Sequence, residues 1–291
     1  MRRIRMLLLL IMIAVLVSMD VGAVFAVSNP VRLSDHEVKM DRVFNFRDMG
    51  GYRTSSGKRV RSGVLYRSGE LTYASDTDIR RMSEQMGIRK ILDLRYVADR
   101  KYCPDRKVPG AVFVHIPIKQ ERKLADQKAI KRNARFTTLG KSAESARFYG
   151  TFAGSRRKVV RKNTTNLVNS KASRKAYRAY FRHLLKNRQG DPLLVHCIAG
   201  KDRTGIASCM TLIALGVDEK TAIRDYCLTN NVYTKYGAGT YGKYSRGVSE
   251  ADLRYALRKM KKKYGSYRKF FRKAYGLNDK DLKQLKAIYL E

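Results

Sequence analysis

Apolar positions along this chain fall into short runs separated by glycines and polar clusters, and the spacing of those runs predicts an alternation of strands and helices. Residues 43–71, VFNFRDMGGYRTSSGKRVRSGVLYRSGEL, break their apolar runs at Gly50-Gly51 and Ser55-Ser56-Gly57, the pattern of strands joined by turns. SDTDIRRMSEQMG (75–87) has helical spacing, with Ser75 or Asp76 as its cap and Gly87 as its stop. IRKILDLR (88–95) and GAVFVHIPI (110–118) read as strands. In SRKAYRAYFRHLL (173–185), Tyr177, Tyr180, Phe181, Leu184 and Leu185 share one helical face, a core stripe rather than a ligand box. GDPLLVHC (190–197) is a buried strand, TGIASCMTLIALG (204–216) a buried helix, and DEKTAIRDYCLTN (218–230) a second helix. Tyr233 to Gly247 reads as a loop. SEADLRYALRKMKKKYG (249–265) opens on a Ser-x-x-Asp capping box at Ser249 and Asp252. It starts an amphipathic helical pair whose solvated face carries ten lysines and arginines between Arg254 and Lys273. This order predicts an α/β fold around a mostly parallel sheet, and 291 residues fit one such domain.

Two segments fall outside that pattern. The first 26 residues combine a basic start (MRRIRM), the apolar run Leu7 to Val17 and small residues ending at Ala26, which reads as a secretory signal. The run is shorter than the ~20 residues of a membrane span, so an uncleaved anchor is the lesser alternative. Residues 119–175 are poorly patterned, with seventeen basic and three acidic residues, and read as a basic variable insertion.

The formal net charge is +37, of which the first 26 residues supply three arginines and one aspartate. A field of that sign favours anionic partners, phosphates or acidic surfaces, without indicating nucleic acid specifically. Four cysteines without close spacing (Cys103, Cys197, Cys209, Cys227) predict no disulfide framework and no zinc site.

The candidate chemistry lies at HCIAGKDRTG, His196 to Gly205. A strand ends at Cys197, five residues intervene, and Arg203 opens a buried helix. The turn curls the amides of Ile198, Ala199, Gly200, Lys201, Asp202 and Arg203 into an anion nest at a helix N-terminus. Arg203 can add a two-pronged bond to a phosphate. A cysteine in such a field is expected to be a thiolate at neutral pH, hence a nucleophile toward phosphorus. Asp202 is the nearest proton donor for a leaving oxygen, Thr204 can donate its hydroxyl to the sulfur, and Lys201 adds charge at the rim. A Walker A loop is excluded: Asp202 stands where Ser or Thr is required.

With these residues in place, the chain resembles the bacterial tyrosine phosphatases whose loop reads H-C-x-x-G-K-D-R-T-G. They are a group within the cysteine-dependent tyrosine and dual-specificity phosphatases. NFRDMGGYRT, LYRSGEL, DLRYVADRKYCPD, RDYCLTNN and YGSYRKFFRKAYGLNDKDLKQL extend the likeness in order. The resemblance implies hydrolysis through a phosphocysteine without metal or cofactor. Cys197 is then the nucleophile, Arg203 the phosphate clamp and Asp202 the general acid. Arg47, Asp48, Asp93 and Arg95, with His196, are expected either to border the pocket or to pin its loop. Tyr96 and Asp99 depart from the family pattern. The implied substrates are phosphotyrosine proteins, with phosphoserine and phosphothreonine as extensions. A phosphoinositide phosphatase and a polyanion-binding protein without turnover are the alternatives.

Overall fold

LLVH, Leu193–His196, is buried at every position, and it forms the central strand of a five-stranded sheet. The computed structural model describes residues 31–118, 157–188, 190–235, 240–241, 244–245 and 247–291. The strands are β1 (Arg47–Asp48), β2 (Leu65–Ser68), β3 (Lys90–Asp93), β4 (Val112–His115) and β5 (Leu193–His196), in the order β1-β2-β5-β3-β4. Only β1 runs antiparallel to its neighbour; the other three pairings are parallel. The predicted α/β architecture is therefore the one observed. Its inner strands lie buried under helices, as parallel sheets require.

The helices are α1 (Asp76–Arg80), α2 (Val97–Tyr102), α3 (Arg157–Asn169), α4 (Lys171–Leu185), α5 (Arg203–Leu215), α6 (Glu219–Lys235), α7 (Glu250–Tyr264), α8 (Tyr267–Phe270) and α9 (Asp279–Tyr289). Ser75 caps α1 through a reciprocal box with Asp78, and a wide π turn at Arg81–Gln85 carries the chain to Gly87, as the spacing predicted. Ser249 caps α7, but Asp252 turns its carboxylate to Arg161 Nε at 2.7 Å instead of back to the cap. That bond ties α7 to α3. Successive residues of β5 alternate between two cores: Leu193 and Val195 face one with Tyr177, Phe181, Ile206 and Leu257, Leu194 the other with Phe46, Met82 and Ile91. Tyr177, Tyr180, Phe181 and Leu184 of the expected stripe are fully buried, while Leu185 packs at its edge, partly buried. Arg258, Lys259, Lys262, Lys263, Lys269, Arg272 and Lys273 are exposed while Leu253, Leu257, Met260 and Phe270 are buried, so the basic face is the solvated one.

Two expectations change. The stretch read as unpatterned becomes regular from Arg157: α3 buries Leu167 and Val168, and α4 follows. Its few apolar positions are diluted among lysines and arginines, which hid the helical period. The stretch read as a loop from Tyr233 continues α6 to Lys235, and Thr240–Tyr241 pairs with Tyr244–Ser245 as a small antiparallel ribbon. The signal segment and residues 119–156 lie outside the described residues. Among the described residues, no helix is long and apolar enough to cross a membrane.

Candidate active site

Cys197 follows the last residue of the central strand, at the carboxyl ends of the parallel strands, where open α/β sheets place their ligands. Its side chain is buried, at 3% exposure. From there the loop turns to α5, whose first turn holds Arg203 and Thr204.

The loop's carbonyls are pinned from behind. Glu70 N–H donates to Ile198 O at 2.9 Å. Asn45 Nδ2 donates to Ala199 O at 3.1 Å and to Gly200 O at 3.0 Å, and Arg67 Nη2 to Gly200 O at 2.9 Å. With these oxygens turned inward, the amides of Ile198, Ala199 and Gly200 donate to nothing among the described residues. Gly200 makes the close approach possible. Its φ is +62°, and a Cβ there would lie 2.5 Å from the Ser68 backbone.

Arg203 Nη1 donates to Leu94 O at 3.2 Å and lies 3.5 Å from Asp99 Oδ2, while the Tyr96 ring covers the guanidinium at 4.4 Å from Cζ. Its Nε and Nη2 make no bond among the described residues. Those two atoms form the edge that matches a phosphate. Burial alone would lower the Arg203 pKa, but Cys197, Tyr96 and Asp99 raise it above its ordinary value. Tyr177 holds the start of α5 by donating to Arg203 O at 3.0 Å.

The remaining loop residues divide. Asp202 is half exposed, at the mouth. Thr204 is fully buried, with no partner for its hydroxyl among the described residues. Lys201 is a correction to the expected rim charge: it is 6% exposed, 3.9 Å from Asp202 Oδ2, with Nζ 5.8 Å from the Tyr233 ring. Its long stem packs inward and leaves Asp202 outermost.

The five residues expected to border the pocket or pin its loop fall into separate networks. Arg47 is fully buried and donates to Asn45 Oδ1 and to Asp225 O at 3.2 Å, so it orients the amide that holds the loop. Burial, then the Arg67 charge, push its pKa down to about 9, and Asp225 opposes them. Asp48 accepts from Gly50 N at 2.8 Å and Gly63 N at 2.7 Å, closing a turn. Arg95 gathers Glu70 at 2.9 Å, Asp93 at 3.0 Å and Asp105 into one buried cluster. His196 lies beside this cluster, 3.3 Å from Asp105 Oδ2, with Nδ1 3.3 Å from Cys197 O. Adjacent residues of a strand point to opposite faces, so His196 turns away from the pocket that Cys197 enters. Asp93, Asp105 and His196 group their polar atoms within 4.8 Å, but Arg95 already bonds to both carboxylates.

Sequence reasoning missed Asn45, Arg67 and Asp225. Asp225 accepts from Arg67 Nη1 at 2.6 Å and from Tyr52 OH at 3.1 Å, and is fully buried. Asn45 carried one local signal: its φ of +58° is a conformation that asparagine tolerates better than most residues.

The chain is similar to known protein phosphatases. A triple specificity protein phosphatase of Mycobacterium tuberculosis, PtpB, is 41% identical over 56 residues, 19% of this chain and 20% of that protein. A relative from Cupriavidus necator named as a tyrosine-protein phosphatase is 44% identical over 55 residues, again 19% of this chain and 20% of the relative. These matches span about a fifth of each relative's length. The family described as "Tyrosine phosphatase family" matches far more of the chain, residues 38–291, and this protein belongs to it.

Proposed function

We propose that this chain is an exported cysteine-dependent phosphatase that hydrolyses phosphotyrosine monoesters, with phosphoserine and phosphothreonine as further substrates, through a phosphocysteine. The observation that carries the reading is the inward pinning of the Ala199 and Gly200 carbonyls beside an Arg203 whose Nε–Nη2 edge is unbonded. That arrangement offers donors on one side only, with a sulfur at its base.

In the first step the Cys197 thiolate forms an S–P bond as the P–O bond to the leaving group breaks, and Asp202 gives its proton to the departing oxygen. The amides of the loop and the Arg203 edge hold the three non-bridging oxygens throughout. In the second step water attacks phosphorus, Asp202 takes a proton back, and the sulfur leaves as thiolate. The Thr204 hydroxyl is the donor that eases its departure. No metal or cofactor enters these steps.

Breadth beyond phosphotyrosine is supported by the name of the Mycobacterium tuberculosis relative. Export is supported by the Leu7 to Val17 run behind a basic start. N-terminal sequencing of protein from the culture medium checks it, with Val27 as the expected first residue.

Cys197→Ser is expected to abolish hydrolysis of an aryl phosphate, and activity equal to wild type would overturn the mechanism. Asp202→Asn should slow substrates with poor leaving groups more than those with good ones; equal slowing removes it as the acid. Assay of the same protein on phosphoinositide vesicles separates the lipid substrate from phosphotyrosine peptide. Binding of polyanions with no turnover on any phosphate would favour a binding protein.

A further inference from the structure

One short segment braces the phosphate clamp from two sides. Tyr96 stacks on Arg203 with 4.4 Å from ring centroid to Cζ, and three residues later Asp99 Oδ2 meets Arg203 Nη1 at 3.5 Å. The same Asp99 oxygen accepts the backbone N–H of Tyr96 at 3.1 Å, so one carboxylate ties the backbone that carries the ring to the guanidinium. Neither contact uses the Nε–Nη2 edge. A phosphate can therefore bind there with the ring still in place.

The ring also reaches the surface. Tyr96 is half-buried, and Val97 beside it is 63% exposed, one of two large apolar side chains so exposed among the described residues. Cys197 lies buried at the base of the loop, and in-line displacement puts the leaving oxygen opposite the sulfur, toward solvent. A leaving group emerging past Arg203 meets the outer part of the Tyr96 ring. An aryl group can pack on that ring, whereas the one-carbon side chain of phosphoserine is too short to cover it.

We propose that Tyr96 is a specificity-determining residue: backed by Arg203, its ring forms the wall that selects aryl over alkyl phosphates. The proposal rests on the phosphatase reading above. A contact with the leaving group's ring is made in the bound substrate and in the transition state alike, so it acts on KM rather than on kcat.

The test compares kcat and KM on a phosphotyrosine peptide and a phosphoserine peptide of otherwise identical sequence. Tyr96→Ala is expected to lower the phosphotyrosine-to-phosphoserine ratio of kcat/KM by about tenfold, through KM on the phosphotyrosine peptide. Tyr96→Phe, which keeps the ring, is expected to keep the ratio. Tyr96→Leu, which keeps bulk without a ring, should behave as the alanine variant and covers the case in which alanine does not fold. Inhibition by inorganic phosphate, which meets Arg203 but carries no ring, should not follow the loss on phosphotyrosine. An equal fall on both peptides, or a parallel weakening of phosphate inhibition, would reduce Tyr96 to a positioning residue and overturn the proposal. Wild type inactive on both peptides would defeat the phosphatase reading itself.

Discussion

Replacing Asp225 with leucine removes the counter-charge of the network behind the loop and puts a somewhat larger apolar side chain in its place. Arg67 Nη1 lies 2.6 Å from this carboxylate and Arg47 Nε 3.9 Å, all three side chains at 0% exposure. Burial alone would raise the Asp225 pKa; Arg67, then Arg47, hold it below its ordinary value instead. Removing one partner of such a buried pair costs about 3–5 kcal/mol, because the charge left behind has neither water nor a counter-ion. Against a total stability of about 5–15 kcal/mol this is a large share. At about 2–4 °C per kcal/mol for a domain of this size, Tm should fall by about 6–20 °C. The chain has no tryptophan, so urea and thermal unfolding are best followed by circular dichroism. The double variant Arg67→Met, Asp225→Leu removes one of the two stranded charges and should regain at least about 1 kcal/mol over Asp225→Leu alone. It should not regain activity. Arg67 Nη2 is also the donor to Gly200 O at 2.9 Å, and a loop displaced by an ångström costs about a hundredfold in rate. A loss below about 1 kcal/mol for Asp225→Leu would refute the reasoning. So would a double variant that recovers activity along with stability.

Gly200→Ala should reduce kcat/KM by about a hundredfold, because its φ is +62° and a Cβ would strike the Ser68 backbone at 2.5 Å. Gly57→Ala, at φ +83° with open space around it, is the control: about 1–2 kcal/mol of stability is lost and activity is kept. The Arg95 cluster predicts a pH window. Burial alone would lower the His196 pKa, but Asp105 and Asp93 raise it above 6.5, so its stabilisation is complete below 6.5 and lost as pH rises through the raised value. Burial alone would raise the Asp93 pKa, but His196 and Arg95 hold it below 3.8, so its stabilisation is complete above 3.8 and lost as pH falls through the lowered value. The contribution of this pair to Tm should therefore be constant from about pH 4 to 6.5 and decline on the alkaline side, and His196→Gln should be less stable at pH 6 with that decline removed. An unchanged alkaline slope in the variant would show that another group titrates.

The strand, loop and helix around Cys197 were legible in the sequence because their causes are local. An apolar run of three, a glycine at the turn and a continuous apolar segment specify a buried strand feeding a buried helix, a junction suited to an anion. The same holds for the caps at Ser75 and Ser249 and for the stripe from Tyr177 to Leu184. The tertiary structure decided which polar residues are inside. Arg67 meets Gly200 across 133 positions, Asn45 meets it across 155, and Arg67 meets Asp225 across 158. No window of sequence contains both members of such a pair, and a lone arginine or aspartate in a strand or helix reads as a solvated residue. A charge can be buried only when its partner arrives with it. For that reason the sequence determined the candidate nucleophile and its loop, while the network that pins the loop's carbonyls, the burial of Lys201 and the stacking of Tyr96 on Arg203 were set by the fold.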